Sequence, residues 1–150
     1  MGRNRGGLLV ALLAVAALAT DGWGVAFRQG PDVALFREPA AAAGSALVRH
    51  LESQGPATRL AISHIRHATQ GEVSLANTQP FVRELGGRTH VFAHNGDLPA
   101  IGDCKLLSLG DYRPVGQTDS EHAFCALLGR VAALWQDGAP RRLWNVVSRL

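Results

Sequence analysis

Seventeen glycines and seven prolines punctuate this 150-residue chain, about one position in six where ordinary usage is roughly one in eight. Breakers at that density leave little room for the long uninterrupted periods of a helical bundle, and they predict a loop-rich fold. They stand between short apolar runs, at Gly30-Pro31, Gly55-Pro56, Pro80, Asn95-Gly96 and Gly138-Ala139-Pro140. With 47% apolar and 18% charged residues, the chain carries material for one packed core.

The runs between breakers differ in period. Val25-Ala26-Phe27 and Val33-Ala34-Leu35-Phe36, on either side of Gly30-Pro31, read as two strands joined by a turn. Ala41 to Ser53 carries Leu47, Val48 and Leu51 at helical spacing and predicts a helix stopped by Gly55-Pro56. Leu60 to Arg66 returns to a strand, Thr69 to Pro80 has no period and reads as a loop, and Thr89 to His94 is a further strand. Phe124, Leu127, Leu128 and Val131 mark a helix running to about Trp135, with Asp119 or Ser120 as its N-cap. Leu143 to Leu150 starts another helical pattern. Strands and helices interspersed in this way predict a mixed α+β fold.

Charge and cysteine usage exclude several partners. Fifteen basic against 12 acidic residues give +3, yet Lys105 is the only lysine and Arg141-Arg142 the only adjacent basic pair. No dense stripe exists to neutralise a phosphate backbone, so nucleic acid is not an expected partner. Cys104 and Cys125 lack metal-ligand spacing, and Cys125 falls in the apolar helical pattern, where a free thiol behaves as a small core residue. His64 and His67, the closest pair of six histidines, face opposite sides of a strand. Neither a metal nor another cofactor is expected.

The N-terminus is unlike the rest. Leu8 to Ala19 is an unbroken run of Leu, Val and Ala behind Arg3 and Arg5, matching the apolar region and small-residue cleavage pattern of a secretory signal. It is shorter than the roughly 18 to 20 residues of a membrane span, so a membrane is not an expected partner. The chain therefore divides into an atypical segment, 1–20, that is either signal-like or a displaced start, and a domain, 21–150.

Four polar groups stand where strands or turns end. Arg66-His67-Ala68-Thr69 offers a planar guanidinium fork suited to a carboxylate, or an exposed Arg beside a capping Thr. His94-Asn95-Gly96 offers two N–H donors aimed at one point, as a developing oxyanion requires, or simply a turn. Thr118-Asp119-Ser120-Glu121 could place a carboxylate for an ammonium group or cap a helix. Asp21-Gly22-Trp23-Gly24 pairs glycines for close backbone approach or for a plain hairpin.

In order along the chain, these strings together with Asn77-Thr78-Gln79-Pro80-Phe81 resemble the class II, Ntn-type glutamine amidotransferases, specifically their small bacterial stand-alone branch. The resemblance runs from about Asp21 to Leu134. It implies a four-layer αββα sandwich and a chemistry in which the thiolate of an N-terminal Cys attacks the glutamine side-chain amide, giving a thioester and releasing ammonia. It further implies that Arg66 holds the substrate α-carboxylate, Thr69 adds a hydroxyl beside it, Asp119 receives the substrate ammonium, and Asn95 with Gly96 forms the oxyanion hole. The partner expected is glutamine or a γ-glutamyl compound, and the setting cytoplasmic.

The sequence also departs from that pattern. Position two is Gly2 rather than Cys, Ala19-Thr20 stand where a His usually precedes the Asp-Gly-Trp-Gly string, and Gln79 replaces a His before Pro80. The resulting expectation is a partial amidotransferase domain, incomplete at both ends, that keeps the glutamine pocket but lacks the nucleophile. The alternatives are a non-catalytic binding module exported by a genuine signal, and a fragment with unpaired sheet edges that does not fold stably by itself.

Overall fold

The computed structural model describes residues 21–69, 71–98, 100–101 and 107–135. The apolar run at 8–19, Cys104 and the helical pattern at 143–150 lie outside them. Among the described residues there are two antiparallel sheets and two helices.

The first sheet is built around β1 (Trp23–Gln29), flanked by β2 (Asp32–Glu38) and β3 (Ala61–Ile65) in the order β2-β1-β3. The turn at Gly30-Pro31 sets the register of β1 on β2, with Trp23 opposite Glu38 and Gln29 opposite Asp32. Gly30 takes a left-handed φ of 64° there, which costs a glycine little. As the central strand, β1 is buried on both faces from Trp23 to Phe27. Alternate residues Trp23, Val25 and Phe27 pack with Val48 and Leu51 of α1 (Ala46–Gln54). On the other face, Gly24 lies against the Gln79-Pro80 segment, where an added Cβ would fall on the Gln79 carbonyl oxygen and 2.9 Å from Pro80 Cδ.

Helix α1 begins five residues later than Ala41, where the spacing alone places it. Gly44 has a φ of 82°, and Ser45 is the N-cap, its Oγ accepting from Val48 N at 3.1 Å. The Ser45 hydroxyl also donates to Glu38 Oε2, which accepts from Trp23 Nε1 at 3.0 Å. That carboxylate thus joins β1, β2 and the start of α1.

The second sheet pairs β4 (Phe81–Leu85) with β5 (Arg88–Phe92), Phe81 opposite Phe92. The sequence pattern does not predict β4, because Arg83 and Glu84 break its apolar alternation. Helix α2 (Asp119–Trp135) covers this sheet through Phe124 and Leu128, and Phe124 stacks on Phe92 with ring centroids 5.2 Å apart. The two sheets are tied by Thr89, whose N donates to Pro31 O at 3.0 Å and whose Oγ1 donates to Asp32 Oδ1 at 2.7 Å.

The start of α2 differs from the expected cap. Thr118, not Asp119 or Ser120, accepts from Glu121 N through its hydroxyl at 3.2 Å. Threonine and glutamate at this spacing form half of a capping box. The other half is missing because Glu121, 1% exposed, accepts instead from Arg83 Nη2 at 2.5 Å and Gly116 N at 2.7 Å. Cys125 is fully buried in the same helix as a free thiol, and burial pushes its pKa up, away from reactivity.

Candidate functional site

Strands β3 and β5 both end at one cavity of about 260 Å³, which the N-terminus of α2 also reaches. Arg66, Thr69, Asn95, Gly96 and Asp119, separated by as many as 53 positions in the chain, all line it.

Arg66 follows directly on β3 and its backbone N donates to Gly22 O at 2.8 Å, continuing the pairing of β3 with the segment before β1. It is buried, at 4% exposure, which removes the reading of an exposed surface Arg. Its Nη2 donates to Gly71 O at 3.0 Å. Burial lowers its pKa, and the Asp21 carboxylate opposes that shift. Asp21 also fixes the following turn, accepting from Ala68 N at 2.9 Å and lying 3.7 Å from the exposed His67 ring. The Asp-Gly-Trp-Gly string therefore works as a unit: the carboxylate sets the Arg66–Thr69 loop, Gly22 receives its backbone, and Gly24 admits the Gln79-Pro80 segment.

Thr69 is exposed and donates to Asp97 Oδ1 at 2.8 Å, linking the loop after β3 to the loop after β5. Asn95 and Gly96 form that second loop, with Gly96 at a φ of 124°. Asp119 lies partly buried. Its Oδ1 accepts from Ser120 N at 2.6 Å and its Oδ2 from Leu98 N at 2.5 Å. It therefore ties the first turn of its own helix to the 95–98 loop.

Three further residues, not singled out as site residues by sequence reasoning, frame the cavity. Asn77 is 1% exposed, its Nδ2 donating to Glu72 O at 3.0 Å and its Oδ1 accepting from Gln117 N at 2.7 Å. It ties the loop beyond Arg66 to the approach of α2. Gln79 reaches His94, and the His94 ring Nδ1 lies 3.1 Å from Ser120 Oγ. His64, on β3, has its pKa lowered first by burial and further by the nearby Arg66 and His94, against a hydrogen bond to the His94 backbone that raises it. The signals available in the sequence are the Asn77-Thr78-Gln79-Pro80-Phe81 string and its place in a loop of turn-forming residues, since the partners of Asn77 and Gln79 are 5 to 40 positions away.

Chemically, the cavity sets one guanidinium and two carboxylates, Asp97 and Asp119, beside a turn rich in N–H donors. That combination suits a zwitterionic amino acid carrying a further polar group. No thiol lines it among the described residues, and no group of three or more His, Cys, Asp or Glu among them could hold a metal ion. No helix among them is long and apolar enough to cross a membrane.

A mixed α and β fold with this loop constellation is that of an amidotransferase-like domain, and comparison with known proteins agrees. Residues 9–150 match the family model described as glutamine amidotransferases class-II. The chain belongs to that family. It is 42% identical over 111 residues to the Escherichia coli K12 protein named "Putative glutamine amidotransferase YafJ", covering 74% of this chain and 42% of that one. A Haemophilus influenzae protein of the same descriptive name is 44% identical over 106 residues, covering 71% and 35%. A crystal structure of a "predicted glutamine amidotransferase from Pseudomonas aeruginosa PA01" superposes with a TM-score of 0.62 at 40% identity, over 85% of this chain and 48% of that one. The chain thus spans less than half the length of these relatives.

Proposed function

We propose that this cavity binds L-glutamine, or a compound with a γ-glutamyl end. Arg66 takes the α-carboxylate, Asp119 the α-ammonium, Thr69 adds a hydroxyl, and Asn95 with Gly96 donates to the side-chain amide oxygen. The observation that carries this reading is the convergence of those five residues on one cavity, with a buried cation on one side and an anchored carboxylate on another.

In the family's reaction an N-terminal thiolate attacks the amide carbon and ammonia leaves, with the oxygen held by the N–H donors of the hole. The described residues supply recognition and those donors. Cys125 is buried and does not line the cavity. We therefore read the chain as a glutamine-binding amidotransferase-like domain. The four-layer αββα sandwich belongs to the same proposal and is supported by the packing of one helix on each of the two sheets. A cytoplasmic setting rests on the family resemblance.

Calorimetric titration of the protein with L-glutamine and with 4-aminobutanamide, which lacks the α-carboxylate, tests the reading. Binding of the first and at least a tenfold weaker response to the second is expected. Equal affinities, or no heat from L-glutamine, would overturn it.

A further inference from the structure

We propose that Gln79 is a positioning residue whose carboxamide clamps the His94 peptide and so aims the Asn95-Gly96 donors into the cavity. The proposal rests on the role given to Asn95 and Gly96 above. Gln79 is 7% exposed. Its Oε1 accepts from His94 N at 2.7 Å and its Nε2 donates to His94 O at 3.3 Å. One side chain thus makes both of the bonds that an antiparallel partner strand would make at that residue.

The register explains why a side chain is needed. Phe81 pairs with Phe92 at the end of the β4–β5 ladder, and stepping outward sets Pro80 beside Ala93 and Gln79 beside His94. The Gln79 carbonyl is turned toward Gly24 instead, in contact that leaves no space for a Cβ there. With the backbone pairing interrupted, the carboxamide substitutes for it two residues beyond the strand, where the functional turn begins.

The turn is pinned at both ends as a result. His94 is held at its peptide by Gln79 and at its ring by Ser120, and Leu98 N is held by Asp119. Between those points Gly96 keeps a φ of 124°, a conformation that an unpinned glycine samples among many others. Removing the clamp frees the N-terminal end of the turn and leaves a peptide N–H and C=O to find water.

The most direct test needs no variant. In the labelled wild-type protein, a through-hydrogen-bond scalar coupling between the His94 amide nitrogen and the Gln79 side-chain carbonyl carbon is expected. Its absence from a spectrum that displays such couplings across β1 and β2 overturns the proposal whatever the ligand.

Two variants test the consequence. Gln79→Ala should speed amide exchange at His94 at least tenfold, leave Val25 in β1 unchanged, and weaken L-glutamine binding about tenfold. Gln79→Glu should behave like the alanine variant at neutral pH, because its second carboxylate oxygen faces the His94 carbonyl. It should recover at low pH, where a protonated carboxyl donates that bond again. Wild-type protein titrated in parallel accounts for His64, Arg66, His67, His94, Asp97 and Asp119, which line the same cavity. Wild-type exchange rates in Gln79→Ala, or no recovery of Gln79→Glu on acidification, contradict the proposal. If wild-type protein fails to bind L-glutamine, the functional reading fails, while the coupling and exchange results still decide the clamp.

Discussion

Glu121 Oε1 lies 2.5 Å from Arg83 Nη2, an ion pair between the first turn of α2 and the middle of β4, with the glutamate side chain 1% exposed and the arginine 23%. The same carboxylate accepts from Gly116 N. The pair joins the helix that carries Asp119 to the strand that follows Gln79.

Glu121→Leu leaves the Arg83 guanidinium without its carboxylate and the Gly116 N–H without an acceptor, a loss of about 3 kcal/mol in unfolding free energy. Arg83→Met combined with Glu121→Leu should lose less than Glu121→Leu alone, because no charge is then stranded. Urea unfolding of the three proteins checks the order.

Gly24 faces the Gln79-Pro80 segment so closely that any Cβ meets Arg37 Cγ at 2.8 Å and Pro80 Cδ at 2.9 Å, besides the Gln79 carbonyl. Gly24→Ala should destabilise by about 2 kcal/mol or more, because two backbone segments must separate. Gly30→Ala, at a φ of 64° with nothing within 4 Å, should cost only the conformational penalty of about 1 kcal/mol. Thermal unfolding of both variants, with the larger drop for Gly24→Ala, is the expected result.

Burial depresses the pKa of His64 below its ordinary 6.5. The unfolded chain therefore takes up a proton at this residue at higher pH than the folded chain does. Stability from this residue is complete above pH 6.5 and falls as acidification proceeds toward the lower folded value. Unfolding free energies measured between about pH 7 and pH 5 should decline, with a shallower decline in His64→Gln.

Much of this arrangement was legible in the sequence where the deciding interactions are local. The 3.6-residue recurrence of Phe124, Leu128 and Val131 marks α2 because all three are buried, Phe124 and Leu128 against the β4–β5 sheet. The turn at Gly30-Pro31 fixes the β1–β2 pair in the same way. Strand β4 was hidden because Arg83, a charged residue in a short strand, is accommodated only by Glu121, 38 positions away. The cap of α2 differs from its local pattern for a related reason, since tertiary structure draws Asp119 Oδ2 to Leu98 N while Thr118 accepts from Glu121 N. Arg66, Thr69, Asn95, Gly96 and Asp119 could be named from motif order, and they line one cavity. The framing roles of Asn77 and Gln79 depend on partners that no local pattern reveals.

The central claim is that Arg66 holds the carboxylate of a bound glutamine. Titration of Arg66→Ala with L-glutamine, beside wild type and with circular dichroism to establish that both are folded, tests it most directly. The account predicts that wild type binds and that folded Arg66→Ala binds about 30-fold to 150-fold more weakly, the loss of roughly 2 to 3 kcal/mol for a charge-assisted contact. Equal affinity of the two proteins would contradict it.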